Sequence, residues 1–210
     1  MTSLIIKELT VKNHHTPIFG PMSFTVKPGE VLSLMGPSGC GKSTLLNIVA
    51  GHNNTPFTYT GNLYLGHKSL DKLPAYQREI GLLFQDDLLF PHLNIWENLA
   101  FALPAEIKGT KRHQQALEAL ESIGLITLAN HHPSQVSGGQ RARISLMRTL
   151  LAKPKAILLD EPFSKLDPDL RQDFRQFVFN HISDCNVPTL MVTHNSEDIP
   201  LNGKVLTWPW

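Results

Sequence analysis

Cysteine is nearly missing. Cys40 and Cys185 are the two in 210 residues, far apart and without a CxxC or Cys/His spacing. That argues against a disulfide framework or a thiolate zinc site and fits a reducing compartment. No apolar run approaches the ~18 residues that span a bilayer, and Met1 to Lys7 lacks the charged and apolar blocks of a signal peptide. The chain is therefore expected to be soluble, with any membrane role supplied by a partner. Neither sign of charge is in excess, with 19 Lys plus Arg against 18 Asp plus Glu. This balance leaves no electrostatic footprint for general nucleic-acid binding, though it allows a local basic patch. Internal repeats, low-complexity tracts and long linkers are also absent. What remains is 41% hydrophobic and 18% charged, the composition of a globular domain, and long enough for one domain with an inserted subdomain.

Short apolar runs alternate with helical patterns, the signature of an α/β fold. Val31–Met35 reads as a buried strand, broken by Gly36 to Gly41. Lys42–Ala50 then reads as a helix with Leu45, Leu46 and Val49 on one face. Ile80–Phe84, Ala156–Leu159 and Thr189–Val192 are further short strands. Ahead of them, Leu4–Leu9 and Met22–Val26 read as antiparallel strands, with Pro28-Gly29 as a turn. From about Asp87 to Gln135 the pattern is helical, with helices expected over Asn94–Ala102 and Lys111–Ile123. The expected organisation is one α/β domain, with a core from 1–86 and 136–210 and a helical insertion at 87–135.

Three motifs carry chemistry. Gly36-Pro37-Ser38-Gly39-Cys40-Gly41-Lys42-Ser43-Thr44 fits GxxxxGK[ST] between a strand and a helix. Its glycines let backbone N–H groups wind around phosphates at a helix N-terminus. Lys42 is placed for the β- and γ-phosphates and Ser43 for Mg²⁺. Cys40 inside this loop reads as a small tolerated residue or as a redox switch, and an alkylating reagent there could block ATP. Second, the apolar strand Ala156–Leu159 ends in Asp160-Glu161. Carboxylates at the C-terminal end of a parallel strand face the ligand crevice. There Asp160 suits Mg²⁺ and Glu161 suits the general base for an attacking water. Third, Val136-Ser137-Gly138-Gly139-Gln140 opens a helix running to about Ala152, a second anion site at a helix N-terminus. One chain has little use for two γ-phosphate sites so far apart in sequence, whereas two chains arranged head to tail do.

In this order the motifs resemble those of nucleotide-binding subunits of the ATP-binding-cassette (ABC) transporter family, over essentially the whole chain. Gly36 to Thr44 matches the family's Walker A, Gln85 its Q-loop and Val136 to Gln140 its signature. Asp160 and Glu161 match Walker B and the catalytic glutamate, Ser164 to Asp167 the D-loop, and His194 the switch histidine. The resemblance implies a P-loop NTPase core with an antiparallel β subdomain and an inserted helical subdomain. It implies ATP and Mg²⁺ as cofactors, with Ser43, Gln85 and Asp160 at the metal. It also implies a homodimer or paired ATPase subunit, in which Ser137 and Gly139 meet the partner's γ-phosphate. Gln85 would sense the nucleotide, and His194 would hold the γ-phosphate and water in register.

Gln85 to Asn98 resembles the segment of bacterial importers that meets the permease, with Leu88, Leu89, Phe90 and Trp96 either forming an apolar docking groove or packing inside the helical subdomain. The chain ends soon after His194, similar to the compact ATPases of thiamine importers. The expected assembly is peripheral on the cytoplasmic face of the inner membrane, with a permease and an external solute-binding protein. Exporter or lipoprotein-release ATPases are the nearest alternative. A soluble cassette ATPase would usually add a coiled coil, zinc modules or a second cassette, and a P-loop kinase or GTPase would leave Ser137 to Gln140 unexplained. The chain departs from the family pattern at Val136, where leucine is usual, at Lys165, where alanine is common, and at Asn195, where an acid is common. Lys165 either reaches across a dimer or faces solvent. Asn13, His14 and His15 replace the aromatic residue beneath adenine, which leaves imidazole stacking, His14 first, as the expected substitute. His14-His15 and His131-His132 have no nearby acidic ligands and read as surface residues rather than metal sites.

Overall fold

The structure is a computed structural model that describes residues 2–52, 56–201 and 203–209. The chain divides into two compact units. The first comprises Met1–Leu82, Lys155–Glu161 and Val178–Trp210; the second comprises Leu83–Pro154 and Pro162–Phe177.

The first unit contains two sheets. One is antiparallel in the order β2-β1-β4-β5, from β1 (Leu4–Asn13), β2 (Thr16–Val26), β4 (Phe57–Leu65) and β5 (Lys68–Ser69). Leu4, Ile6, Leu9 and Val11 of β1 are all buried, a set that simple alternation cannot place on one face. The extra residue is taken up at Glu8, whose φ is 49° and where the register shifts on both sides. The Glu8 N–H donates instead to Ser23 Oγ at 2.8 Å. A bulge of this kind turns the second half of the strand so that its apolar residues rejoin the core.

The other sheet has the order β6-β7-β8-β3-β9, from β3 (Val31–Met35), β6 (Ile80–Leu83), β7 (Ala156–Asp160), β8 (Thr189–Val192) and β9 (Lys204–Thr207). The pairs β7–β8, β8–β3 and β3–β9 are parallel. Every residue of β7 and β8 is buried, which explains why these strands read as continuous apolar runs rather than alternating ones. Helix α1 (Lys42–Ala50) follows β3 and contributes Leu45, Leu46, Ile48 and Val49 to the core shared by both sheets. Its C-terminus ends in Gly51 in the left-handed conformation. Buried Arg78 donates to the carbonyls of Ile48 and Val49 at 2.8 and 2.9 Å, placing a cation at the negative end of the helix.

The second unit is helical: α2 (Ile95–Ala102), α3 (Gly109–Ser122), α4 (Gly138–Leu151) and the first half of α5 (Pro168–Cys185). Asn94 caps α2 in a reciprocal box with Glu97, the arrangement expected of N-x-x-E ahead of an apolar run. α2 packs against α3 and α4, and Leu99, Ala116, Leu120 and Ile144 of these helices are fully buried. Arg112 of α3 closes the end of α2 by donating to the carbonyls of Ala100, Leu103, Pro104 and Ile107. Among the described residues no helix is long and apolar enough to cross a membrane.

Candidate functional site

The first unit gathers the phosphate loop and the acidic strand end. Between β3 and α1 the loop turns at Gly41, whose φ is 100°. A Cβ there would lie 2.8 Å from Phe19 Cε1, so both conformation and space require glycine. No side chain caps α1 and no acid stands in its first turn. Its leading N–H groups therefore remain available to an anion. The Lys42 ammonium is buried and donates to the carbonyls of Gly36 and Pro37, both at 2.8 Å, with Cys40 Sγ 4.0 Å away. Lys42 is thus held inside the loop, not projected into solvent.

Asp160 ends β7 and is 9% exposed. Burial pushes its carboxyl above the ordinary range. The Ser43 hydroxyl, hydrogen-bonded to it, and the nearby Lys42 charge pull it down, while the neighbouring Glu161 charge pushes it up. Ser43 and Asp160 thus offer a hydroxyl and a carboxylate side by side, the hard oxygen donors that Mg²⁺ takes. The raised pKa has a consequence for stability. Above the folded pKa the ionised carboxylate weakens the fold, and that penalty disappears as pH falls through the folded pKa. Asp160→Asn is therefore expected to raise the thermal midpoint of nucleotide-free protein at neutral pH, with the gain closing in acid. A variant less stable than the parent at neutral pH would contradict this account.

Glu161 follows with φ at 49°, a left-handed conformation that costs about 1–3 kcal/mol for a residue with a side chain. Its N–H donates to Val192 O at 2.9 Å, so the turn is tied to the end of β8. Beyond β8, Thr193 Oγ1 donates to buried Asp198 Oδ2 at 3.0 Å and accepts from Asn195 N–H. That pair fixes the turn carrying His194, whose Nδ1 lies 3.1 Å from Glu161 Oε1. The imidazole is 61% exposed and the carboxylate 22%. A carboxylate, a histidine and a phosphate-binding loop converge at the C-terminal ends of adjacent parallel strands, where open α/β sheets bind ligands.

His14 stands at the exposed β1–β2 turn with φ at 52°, its N–H donating to Pro56 O. On β2, Ile18 and Phe19 fill the space that a Cβ on Gly41 would need. His15 lies three residues from Ile18, a strand distance of roughly 10 Å.

The second unit carries Gln85 and Ser137, Gly138, Gly139 and Gln140. Gln85 is exposed. Ser137 is the N-cap of α4 and forms a reciprocal box with Gln140. The Ser137 N–H donates to Gln140 Oε1 at 2.8 Å, and the Gln140 N–H donates to Ser137 Oγ at 3.3 Å. No acid lies in the first turn of α4. Gly139 is closely approached, since a Cβ there would lie 3.2 Å from the Lys165 carbonyl. The Lys165 ammonium lies 3.4 Å from Asp86 Oδ1 within the same chain, an exposed pair of small energetic weight. Leu89 is buried, while Leu88 and Phe101 are 54% and 66% exposed. Trp96 meets His113 edge-on at 4.5 Å. The exposed apolar residues around this segment thus include Phe84, Leu88 and Phe101, of which the sequence pattern singles out Leu88 alone as a docking residue.

Residues 19–164 match the family described as ABC transporter. The chain belongs to the ABC transporter family. Among relatives, an uncharacterized ABC transporter ATP-binding protein of Escherichia coli (strain K12) is 45% identical over 97% of this chain and 94% of its own length. The spermidine/putrescine import ATP-binding protein of Bacillus thuringiensis (strain Al Hakam) is 36% identical over 92% of this chain. The Fe(3+) ions import ATP-binding protein of Haemophilus influenzae (strain 86-028NP) is 37% identical over 90%. The chain spans 59% and 56% of those two import proteins. A solved dimeric ATP-binding cassette in a post-hydrolysis state, bound to ADP and Pi, superposes with a TM-score of 0.80. It is 30% identical, and the match covers 93% of this chain and 89% of that one. This ABC chain has the P-loop NTPase fold, with mixed sheets and helices, and is an ATP hydrolase.

Proposed function

We propose that this chain is the ATPase subunit of a bacterial importer, driving uptake of a small solute through a separate permease as one of a pair of cassettes. Residues 1–210 would form one nucleotide-binding domain, with 87–135 as its helical insertion. The observation that carries the reading is the pairing of Glu161 with His194 at 3.1 Å, beside the Lys42, Ser43 and Asp160 cluster. Glu161 is placed to take a proton from the attacking water, and His194 to orient that carboxylate and the water. Lys42 would exchange its loop carbonyls for phosphate oxygens. Ser43 and Asp160 would hold Mg²⁺, which neutralises phosphate charge when bound. The imidazole of His14 would lie against adenine.

The uncapped N-terminus of α1 and the Ser137-capped N-terminus of α4 are two anion sites, and a head-to-tail pair of chains puts both to use on one ATP. Import is supported by the polyamine and Fe(3+) import relatives and by the exposed Leu88 and Phe101 beside the Gln85 segment, where a permease loop would dock. An external solute-binding protein and attachment to the cytoplasmic face of the inner membrane follow from that role. Proteins copurified from native membranes are expected to include a permease, and uptake by the reconstituted complex tests the direction of transport. Because the proposed site needs two chains, ATPase activity per subunit is expected to fall steeply on dilution. Constant specific activity into the monomer range would exclude the paired site.

A further inference from the structure

One face of α4 is occupied by an interaction that the proposed chemistry does not use. Arg141, Ser145 and Arg148 recur at helical spacing, and all three hold the short segment that follows Gln85. Arg141 Nε donates to Asp87 Oδ2 at 2.8 Å, with both side chains largely covered. The same guanidinium donates through Nη1 to the Val136 carbonyl at 2.7 Å. Buried Ser145 donates to the Asp87 carbonyl at 2.7 Å. Arg148 donates to the carbonyls of Asp87 and Leu88 at 3.3 and 3.0 Å and lies 5.3 Å over the Phe90 ring. Phe90 in turn meets Phe101 edge-on at 4.8 Å. Asp87 is thus bound through its carboxylate to the arginine that fixes Val136, the residue immediately before Ser137. Through its backbone it is bound to the helix that Ser137 caps. The exposed Leu88 and Phe101 lie at the other end of the same network.

We propose that Asp87 is a positioning residue that, through Arg141 and the Val136 carbonyl, sets the Ser137–Gly139 turn in the geometry that meets ATP on a second copy of this chain. This inference rests on the paired-cassette reading above. A guanidinium that bridges a carboxylate and a carbonyl holds both in a fixed plane, which a point charge does not. Without Asp87, Arg141 keeps its charge but loses its one carboxylate partner and is left with the Val136 carbonyl and a longer contact to the Pro133 carbonyl, so the turn before α4 is loosened. The phosphate loop belongs to the other compact unit, so nucleotide binding by the monomer serves as the control.

The test measures ATP-driven dimerisation by sedimentation in a Glu161→Gln parent, alongside binding of a fluorescent ATP analogue at concentrations where the protein is monomeric. Asp87→Ala and Asp87→Asn are expected to raise the ATP concentration at half-dimerisation about tenfold, the loss of one charge-assisted hydrogen bond. Monomer affinity and thermal midpoint should stay close to the parent. Asp87→Glu should recover the parent midpoint to within about twofold. Arg141→Ala should match Asp87→Ala, and the double variant should be no worse than either single one. If Asp87→Ala does not fold, the isosteric Asp87→Asn carries the test. A parent that dimerises normally with Asp87→Asn unshifted, or fully additive single effects, overturns the positioning role alone. A parent that stays monomeric at saturating ATP overturns the paired reading and this inference with it.

Discussion

Glu161→Gln is expected to lower ATP hydrolysis by about 10²–10⁴, the usual contribution of a positioned general base, while nucleotide binding is retained. The substitution keeps the size of the side chain and its contact with His194, 3.1 Å away in the parent, but removes the proton acceptor. It leaves Lys42, the α1 amides and the Ser43–Asp160 pair intact, so equilibrium binding of ATP should not change. Without turnover, the ATP-bound dimer should persist on size-exclusion chromatography. Hydrolysis at the parent rate would show that the water is activated elsewhere.

Ser137→Arg is expected to abolish ATP-driven dimerisation and reduce ATPase activity to background, with binding of ATP to the monomer unchanged. Ser137 opens α4 and faces a helix end free of acids. In the proposed pair, a long cation at this point would enter the partner's γ-phosphate site and block closure. The substitution also removes an N-cap, which costs about 0.5–2 kcal/mol, so a stability control is needed. Ser137→Asn keeps a capping side chain and should show parental stability. Full ATPase activity in Ser137→Arg would place the signature turn outside the working site.

The fold was legible where local chemistry was unambiguous. The strand Val31–Met35 and helix Lys42–Ala50 have the bounds expected from an apolar run, a glycine-rich break and a one-sided helical pattern. β1 runs on to Asn13 instead of ending near Leu9, because the Glu8 bulge shifts the alternation by one residue and makes the second half look out of phase. β4 leaves no clear pattern in the sequence. Its Gly61 interrupts the pattern, and its reason lies in another strand, where a Cβ would meet the Glu8 carbonyl at 2.5 Å. The long helix α5 is also hard to see in the sequence, though Phe174, Val178 and Ile182 recur every four residues and are buried. That signal was present and was masked by the polar residues between them.

Within the site, Lys42, Ser43 and Asp160 followed from motif chemistry. The meeting of Glu161 with His194 spans 33 residues; the motif reading and the family resemblance put each at the attacking water but not in contact, because sequence spacing does not reveal which strands are neighbours. The Asp87–Arg141 contact spans 54 residues and left no trace in composition or periodicity. The same is true of Lys165, whose partner proved to be Asp86 in its own chain.

The left-handed backbone at Glu161 has a consequence for how such a protein ages under mutation. Glycine adopts that conformation without steric cost, which at a left-handed position offsets the extra freedom it gives the unfolded chain. At this position the substitution that the backbone favours is one that deletes the proposed base. Random drift that rewards robustness therefore runs toward a cassette that folds well, binds nucleotide and no longer turns over. Selection for turnover has to act continuously on this one turn to keep the motor from becoming a static clamp.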